Sequence, residues 1–172
     1  MSKTNFSIKQ IKYLLDKQSD LDEAIRQEKG ISIRAWRDDM EIEHEIALHV
    51  EIGEFINECR DVWKYWKEKP VDVELLLDEA VDVIHFCFLL LNNGDYGDSY
   101  SIQYEIEHEL EDLHEFNRQE SLHLLAGLDY PIATLALILK VIESYGFTTE
   151  DIMLAYDKKN KVNYERLESG TY

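Results

Sequence analysis

Residues 75–91 read LLLDEAVDVIHFCFLLL, an almost unbroken apolar run that nevertheless carries Asp78, Glu79, Asp82 and His85. With 3.6 residues per helical turn, side chains three and four apart share a face. Asp78, Asp82 and His85 then line one side of a helix, with Glu79 beside them. Leu75, Leu76, Val83, Phe86 and Leu90 cover most of the remaining circumference. A helix that is apolar nearly all round belongs in a core. Carboxylates in that setting are costly unless a cation or a hydrogen-bond donor meets them. The spacing therefore predicts a buried helix that offers acids to a metal ion.

Upstream, Pro70 interrupts the chain and Asp72 stands where an N-cap is needed. Before it, the periodicity predicts a helix over residues 39–67. Its apolar positions are Ile42, Ile46, Val50, Phe55, Ile56, Cys59, Trp63 and Trp66. Glu51, Glu54 and Glu58 form a stripe along it, with Gly53 between the first two. A glycine in a helix interior costs about 1 kcal/mol relative to alanine. Close approach by another helix or a ligand is one explanation, and simple tolerance is the other. The short connection through Pro70 makes the two helices antiparallel neighbours.

Glu51 with Glu54, and Glu79 with Asp82, are each spaced i,i+3, so four carboxylates can face one point. An all-oxygen set suits Mg²⁺, or Mn²⁺. Such a site can hold a triphosphate and activate a water near its phosphorus. Glu58 and Asp78 are its outer members. In a chain this acidic an i,i+3 pair says little by itself, and the apolar context is what singles these two out. Solvent-facing acids on a noncatalytic helical regulator are the bland alternative. A di-iron bundle built on Glu-x-x-His pairs also competes. Glu41–His44, Glu105–His108, Glu111–His114 and Glu120–His123 have that spacing. His85 alone stands in a strong core context, which favours a hydrogen-bonded interior histidine.

The rest of the chain is helical in pattern. Helices are predicted over residues 7–28, closed by Gly30, over 100–118, and over 131–145, opened by Pro131. A last one covers 148–160, with Thr148 and Asp151 at capping-box spacing. A loop or short helix carries Leu122, Leu124 and Leu125. No Val/Ile/Thr alternation suggests a sheet. The expectation is an all-alpha, antiparallel helical bundle forming one domain of 172 residues. Residues 158–172 are polar, partly basic and aromatic, and are expected to form a mobile tail. The 36 acidic and 18 basic residues give a charge of −18, which argues against nucleic-acid and anionic-membrane partners. A divalent cation can still reverse the local field for an anionic small molecule. Cys59 and Cys87 read as free thiols. With no signal peptide and no run long and apolar enough for a membrane span, a soluble, cytoplasmic protein is expected.

Residues 47–66, ALHVEIGEFINECRDVWKYW, and 78–91, DEAVDVIHFCFLLL, resemble the dimeric all-alpha dUTPase family. That family belongs to a superfamily with MazG-type nucleoside triphosphate pyrophosphohydrolases. The superfamily's Glu-x-x-Glu and Glu-x-x-Asp are matched by Glu51, Glu54, Glu79 and Asp82. Asn57, Lys64 to Trp66, and Asp82 to Phe86 match further family positions. The C-terminus resembles the family's tail through Tyr156, Lys159, Asn160, Asn163, Arg166, Gly170 and Tyr172, although Thr171 separates the last two. Gln18 stands at the position of a glutamine of the nucleotide pocket.

The resemblance implies a homodimer that hydrolyses dUTP, and dUDP, to dUMP, with pyrophosphate as the other product from dUTP. It implies Mg²⁺ held by Glu51, Glu54, Glu79 and Asp82, water attack on the α-phosphorus, and Glu51 activating that water. Lys159 and Arg166 would contact phosphate. Gln18, Asn57, Lys64, Trp66, Asn163 and Tyr172 would contact the nucleotide. A MazG-like enzyme acting on dCTP or another nucleoside triphosphate is the alternative within the same class.

Overall fold

The computed structural model describes residues 4–171. Helix accounts for 76% of the chain, and no strand occurs among the described residues. Helix α1 spans Ile8–Lys29. Ser7 caps it in a reciprocal box with Gln10, and Gly30, at φ 66°, ends it in the left-handed conformation. A π-helical turn, Ala35–Asp39, leads into α2, Glu41–Glu58, and a single turn, α3, Arg60–Trp63. The chain then passes Pro70 to α4, Val73–Asn93, whose N-cap Asp72 accepts from the Leu75 N–H. Helices α5, Ser99–Asp112, α6, Arg118–Leu125, α7, Pro131–Ser144, and α8, Thr149–Glu168, complete the bundle.

α4 is the central element and packs against α1, α2, α7 and α8. Leu76, Ala80, Val83, Ile84, Cys87 and Phe88 on α4 are fully buried. They meet Leu48 and Phe55 of α2, Leu14 of α1, and Leu135 and Ile138 of α7 in one core. Each fully buried Leu, Ile or Phe is worth roughly 1.5–3 kcal/mol of transfer free energy. Burial on most sides is what the near-continuous apolar pattern of α4 demanded. Both cysteines are buried free thiols. Among the described residues no single helix is long and apolar enough to cross a membrane.

Three expected boundaries move. The helix expected over 39–67 stops at Glu58, where Cys59 takes ψ 41°. The chain folds back there, and Trp63 Nε1 donates to the Ile56 carbonyl at 2.8 Å while Lys64 Nζ donates to that of Asn57 at 3.2 Å. Side chains thus satisfy carbonyls that a longer helix would have used. Ile42, Ile46 and Val50, expected to pack, are exposed along one face of α2. α5 ends at Asp112, and Asn117 starts the separate helix α6 through its own capping box. α8 continues eight residues past the expected end at Asn160, because Asn160 and Asn163 are buried against the bundle.

Candidate active site

α2 and α4 run antiparallel: Glu51 meets Glu79 and Asp82, while His44, two turns earlier, meets Asn93 at the far end. One carboxylate oxygen from each of Glu51, Glu79 and Asp82 lies within 4.8 Å of the other two. All three side chains are half-buried. Like charges this close, partly removed from water, resist ionisation. Burial, then the charges of Asp82, Glu54 and Glu79, push the Glu51 carboxyl up to about 7. Burial likewise raises Glu79 and Asp82. Three repelling carboxylates with only oxygen to offer fit a hard divalent cation, which would relieve the repulsion.

The four expected acids are not equivalent. Glu54 is exposed and stands outside the three-residue group, although Glu51 and Glu79 feel its charge. Glu58, expected as an outer member, is ion-paired with Arg60. Among the described residues the metal-sized group contains no histidine, and His108, His114 and His123 are exposed.

The cluster's counterion comes from α8. Lys159 Nζ reaches Asp82 Oδ2 at 2.5 Å and Asp78 Oδ2 at 2.9 Å. Burial works against its charge, but hydrogen bonds to Asp82 and Asp78 more than offset this and raise its pKa. The resemblance implies a phosphate contact for Lys159; in the structure its ammonium pairs with Asp78 and Asp82.

Beside the cluster lies a cavity of about 440 Å³, within the size range of small-molecule sites. Glu51, Asp82, Lys159 and Arg166 contribute charge to its wall, and Trp36, Phe86 and Leu89 contribute apolar surface. Gln18 and Asn163 also line it. Gln18 is 3% exposed, and both ends of its amide are hydrogen-bonded. Its Nε2 donates to Asp22 Oδ1 at 2.7 Å, while its Oε1 accepts from the Tyr156 hydroxyl at 3.0 Å and from His85 Nδ1 at 2.8 Å. The His85 ring stacks on Tyr156, with centroids 4.0 Å apart. Burial pushes the His85 pKa down to about 3, so the ring is neutral.

Asn57, Lys64 and Trp66 do not line the cavity. Lys64 bonds to Asn57 and sits 4.7 Å over the Trp63 ring, and Trp66 packs edge-on against Trp63. Tyr172 lies outside the described residues. Conversely, Asp22, Trp36 and His44 line the cavity and were not singled out as site residues. One signal was available for His44, which stands seven residues before Glu51 and so on the same face of α2. Nothing in the sequence marked Trp36.

A protein-family model described as dUTPase matches residues 10–171. No curated protein matches the chain.

Proposed function

Because this chain belongs to the dUTPase family and is a dUTP diphosphatase, a hydrolase, we propose that it breaks the bond between the α-phosphorus and the bridging oxygen. Water adds to the α-phosphorus, and dUMP and pyrophosphate leave. dUDP is cleaved at the same bond to dUMP and phosphate. The observation that carries this reading is the meeting of Glu51, Glu79 and Asp82 in one group, two of which, Glu51 and Asp82, stand on the wall of a cavity shared with Lys159, Arg166 and apolar side chains.

Glu51, Glu79 and Asp82, with Glu54 at the margin, are the residues that would hold Mg²⁺, or Mn²⁺ in its place. When bound, the ion supplies positive charge to the phosphoryl oxygens and acidifies the attacking water. Glu51, a carboxylate on the cavity wall, takes the proton from the attacking water as general base. Lys159 and Arg166 neutralise charge on the phosphates as the leaving group departs. This requires Lys159 to exchange Asp78 and Asp82 for a phosphate oxygen. Gln18 and Asn163 shape the nucleoside side of the cavity.

The protein acts in the cytoplasm as a homodimer in this reading. The exposed stripe of Ile42, Ile46 and Val50 on α2 supports a second chain there. A monomer by sedimentation at assay concentration would contradict that part.

The activity is tested by a released-product assay over dUTP and the four standard deoxynucleoside triphosphates with Mg²⁺. Rapid release of dUMP and pyrophosphate from dUTP is expected. In ¹⁸O-water the label should enter dUMP. Comparable turnover of dCTP and dTTP, or label in pyrophosphate, would overturn the proposal.

A further inference from the structure

Glu51, Glu79 and Asp82 bring three carboxylates together, and among the described residues one cation opposes them by direct contact. Lys159 Nζ bridges Asp82 Oδ2 at 2.5 Å and Asp78 Oδ2 at 2.9 Å. Its charge also reaches Glu51 and Glu79, whose carboxyls it pulls downward against burial. The lysine side chain is only 12% exposed. Holding a long, flexible side chain out of water in one geometry costs conformational entropy and hydration, so the two aspartates make a specific seat. Asp78 stands outside the three-acid group, and its contact in the fold is this ammonium. Arg166 differs. It lines the same cavity, and Asp82 feels its charge, but it makes no ion pair with these acids.

The backbone on either side of Lys159 is fixed. Tyr156 is fully buried and its hydroxyl donates to Gln18 Oε1 at 3.0 Å. Asp157 accepts from the Tyr13 hydroxyl at 2.7 Å, and Asn160 and Asn163 are buried. α8 therefore stays docked, and what can move is the four-carbon stem of the lysine, which opens onto the cavity that it lines.

The ammonium and a divalent ion need the same carboxylate. Mg²⁺ holds its oxygens at about 2.0–2.1 Å and demands near-regular octahedral geometry. An ion bound to Asp82 would stand within a few ångströms of Lys159 Nζ, and like charges this close in a half-buried site repel. An oxygen already engaged by an N–H is also a poorer ligand. We propose that Lys159 is a competitor built into the metal site: its ammonium takes the place of the ion on Asp82, with Asp78 as its second anchor, and gives way when a phosphate draws it into the cavity. This rests on the reading of the three acids as the metal site. Metal and polyphosphate then bind cooperatively, because the phosphate removes the ion's competitor, and the coupling is reciprocal.

Mn²⁺ alone is the probe, on protein free of nucleotide, with uptake read from loss of the free-ion electron paramagnetic resonance signal. Lys159→Met keeps an unbranched stem and removes the ammonium. It should bind Mn²⁺ about tenfold more tightly than the wild type, the worth of one charge-assisted hydrogen bond that the ion no longer breaks. Lys159→Arg keeps donors for both aspartates and should bind no more tightly than the wild type. Arg166→Met removes the same charge from the same cavity and should gain clearly less than Lys159→Met. Equal affinities in the wild type and folded Lys159→Met, or an equal gain in Arg166→Met, overturn the proposal. A second measurement uses the wild type. Its ¹⁵N-labelled Lys159 ammonium, assigned through contacts with the Asp82 methylene protons, is followed as Mg²⁺ is added and calorimetry reports occupancy. The signal should move toward those of exposed lysines as the ion enters. Full occupancy without movement overturns the proposal even if the variant does not fold. A wild type that takes up neither ion overturns this inference together with the metal reading of the acids, whereas uptake with equal affinities overturns this inference alone.

Discussion

Asp22 is a buried acid on α1, and its carboxyl is pushed up to about 7, by burial above all, with the Gln18 hydrogen bond and Arg26 pulling the other way. In the unfolded chain the same group titrates near its ordinary value, about 3.9. Between the two values the folded chain keeps a proton that the unfolded chain has released. Stability contributed by the protonated, buried form is therefore full below about pH 4. It is lost as pH rises toward 7 and changes little above that. Each unit of separation is worth about 1.4 kcal/mol. Asp22→Asn retains an acceptor for Gln18 and abolishes the titration. Its melting temperature should therefore gain on that of the wild type steadily between pH 4 and pH 7 and keep the gain above. A difference that stays constant over that range contradicts the assignment. Sequence pattern could not single out this residue. An aspartate four positions after Gln18 looks like any polar pair on a helix, and only its burial distinguishes it.

α4 was the most legible element. Its apolar run, the Asp72 cap and the Pro70 interruption all pointed to one buried helix, because burial on most sides leaves a composition that few other settings tolerate. The end of α2 was not legible. The pattern continued through Trp63 and Trp66, and what stops the helix is two side-chain donors that reach back to the Ile56 and Asn57 carbonyls. The last turns of α8 were hidden for a related reason. Asn160 and Asn163 form part of their buried face, and polar residues leave no hydrophobic period to read. At Gly53 the structure separates two explanations that the sequence left open. A Cβ there meets no atom within 4 Å, so no neighbour within the described chain requires glycine. Gly53→Ala should then stabilise the protein by about 1 kcal/mol, the helix-propensity difference. This would be seen as a higher urea midpoint at unchanged slope. A lower midpoint would contradict it and would mean that the second chain proposed on the Ile42, Ile46 and Val50 face reaches Gly53.

At the scale of the molecule, α4 brings three elements to one cavity: α1 with Gln18 and Asp22, α2 with His44 and Glu51, and α8 with Lys159, Asn163 and Arg166. Glu51, Glu79 and Asp82 could be read from the sequence because acids in apolar helices stand out. The place of Trp36 on the cavity wall could not, since nothing in its sequence setting marks it and only the fold brings it there. The overall charge of −18 repels a polyphosphate, so binding depends on local cations, and among the described residues Lys159 already occupies the acids. The central claim is that Glu51, Glu79 and Asp82 hold the metal on which hydrolysis depends. It is tested most directly by dUTP hydrolysis in chelator-treated protein as Mg²⁺ is restored, wild type beside Glu79→Gln. The account predicts no turnover without Mg²⁺ and recovery in the wild type. The variant should stay folded with its rate at least about a hundredfold lower, as for loss of a transition-state charge contact. Full activity in the presence of chelator, or a near-normal rate in folded Glu79→Gln, would contradict it.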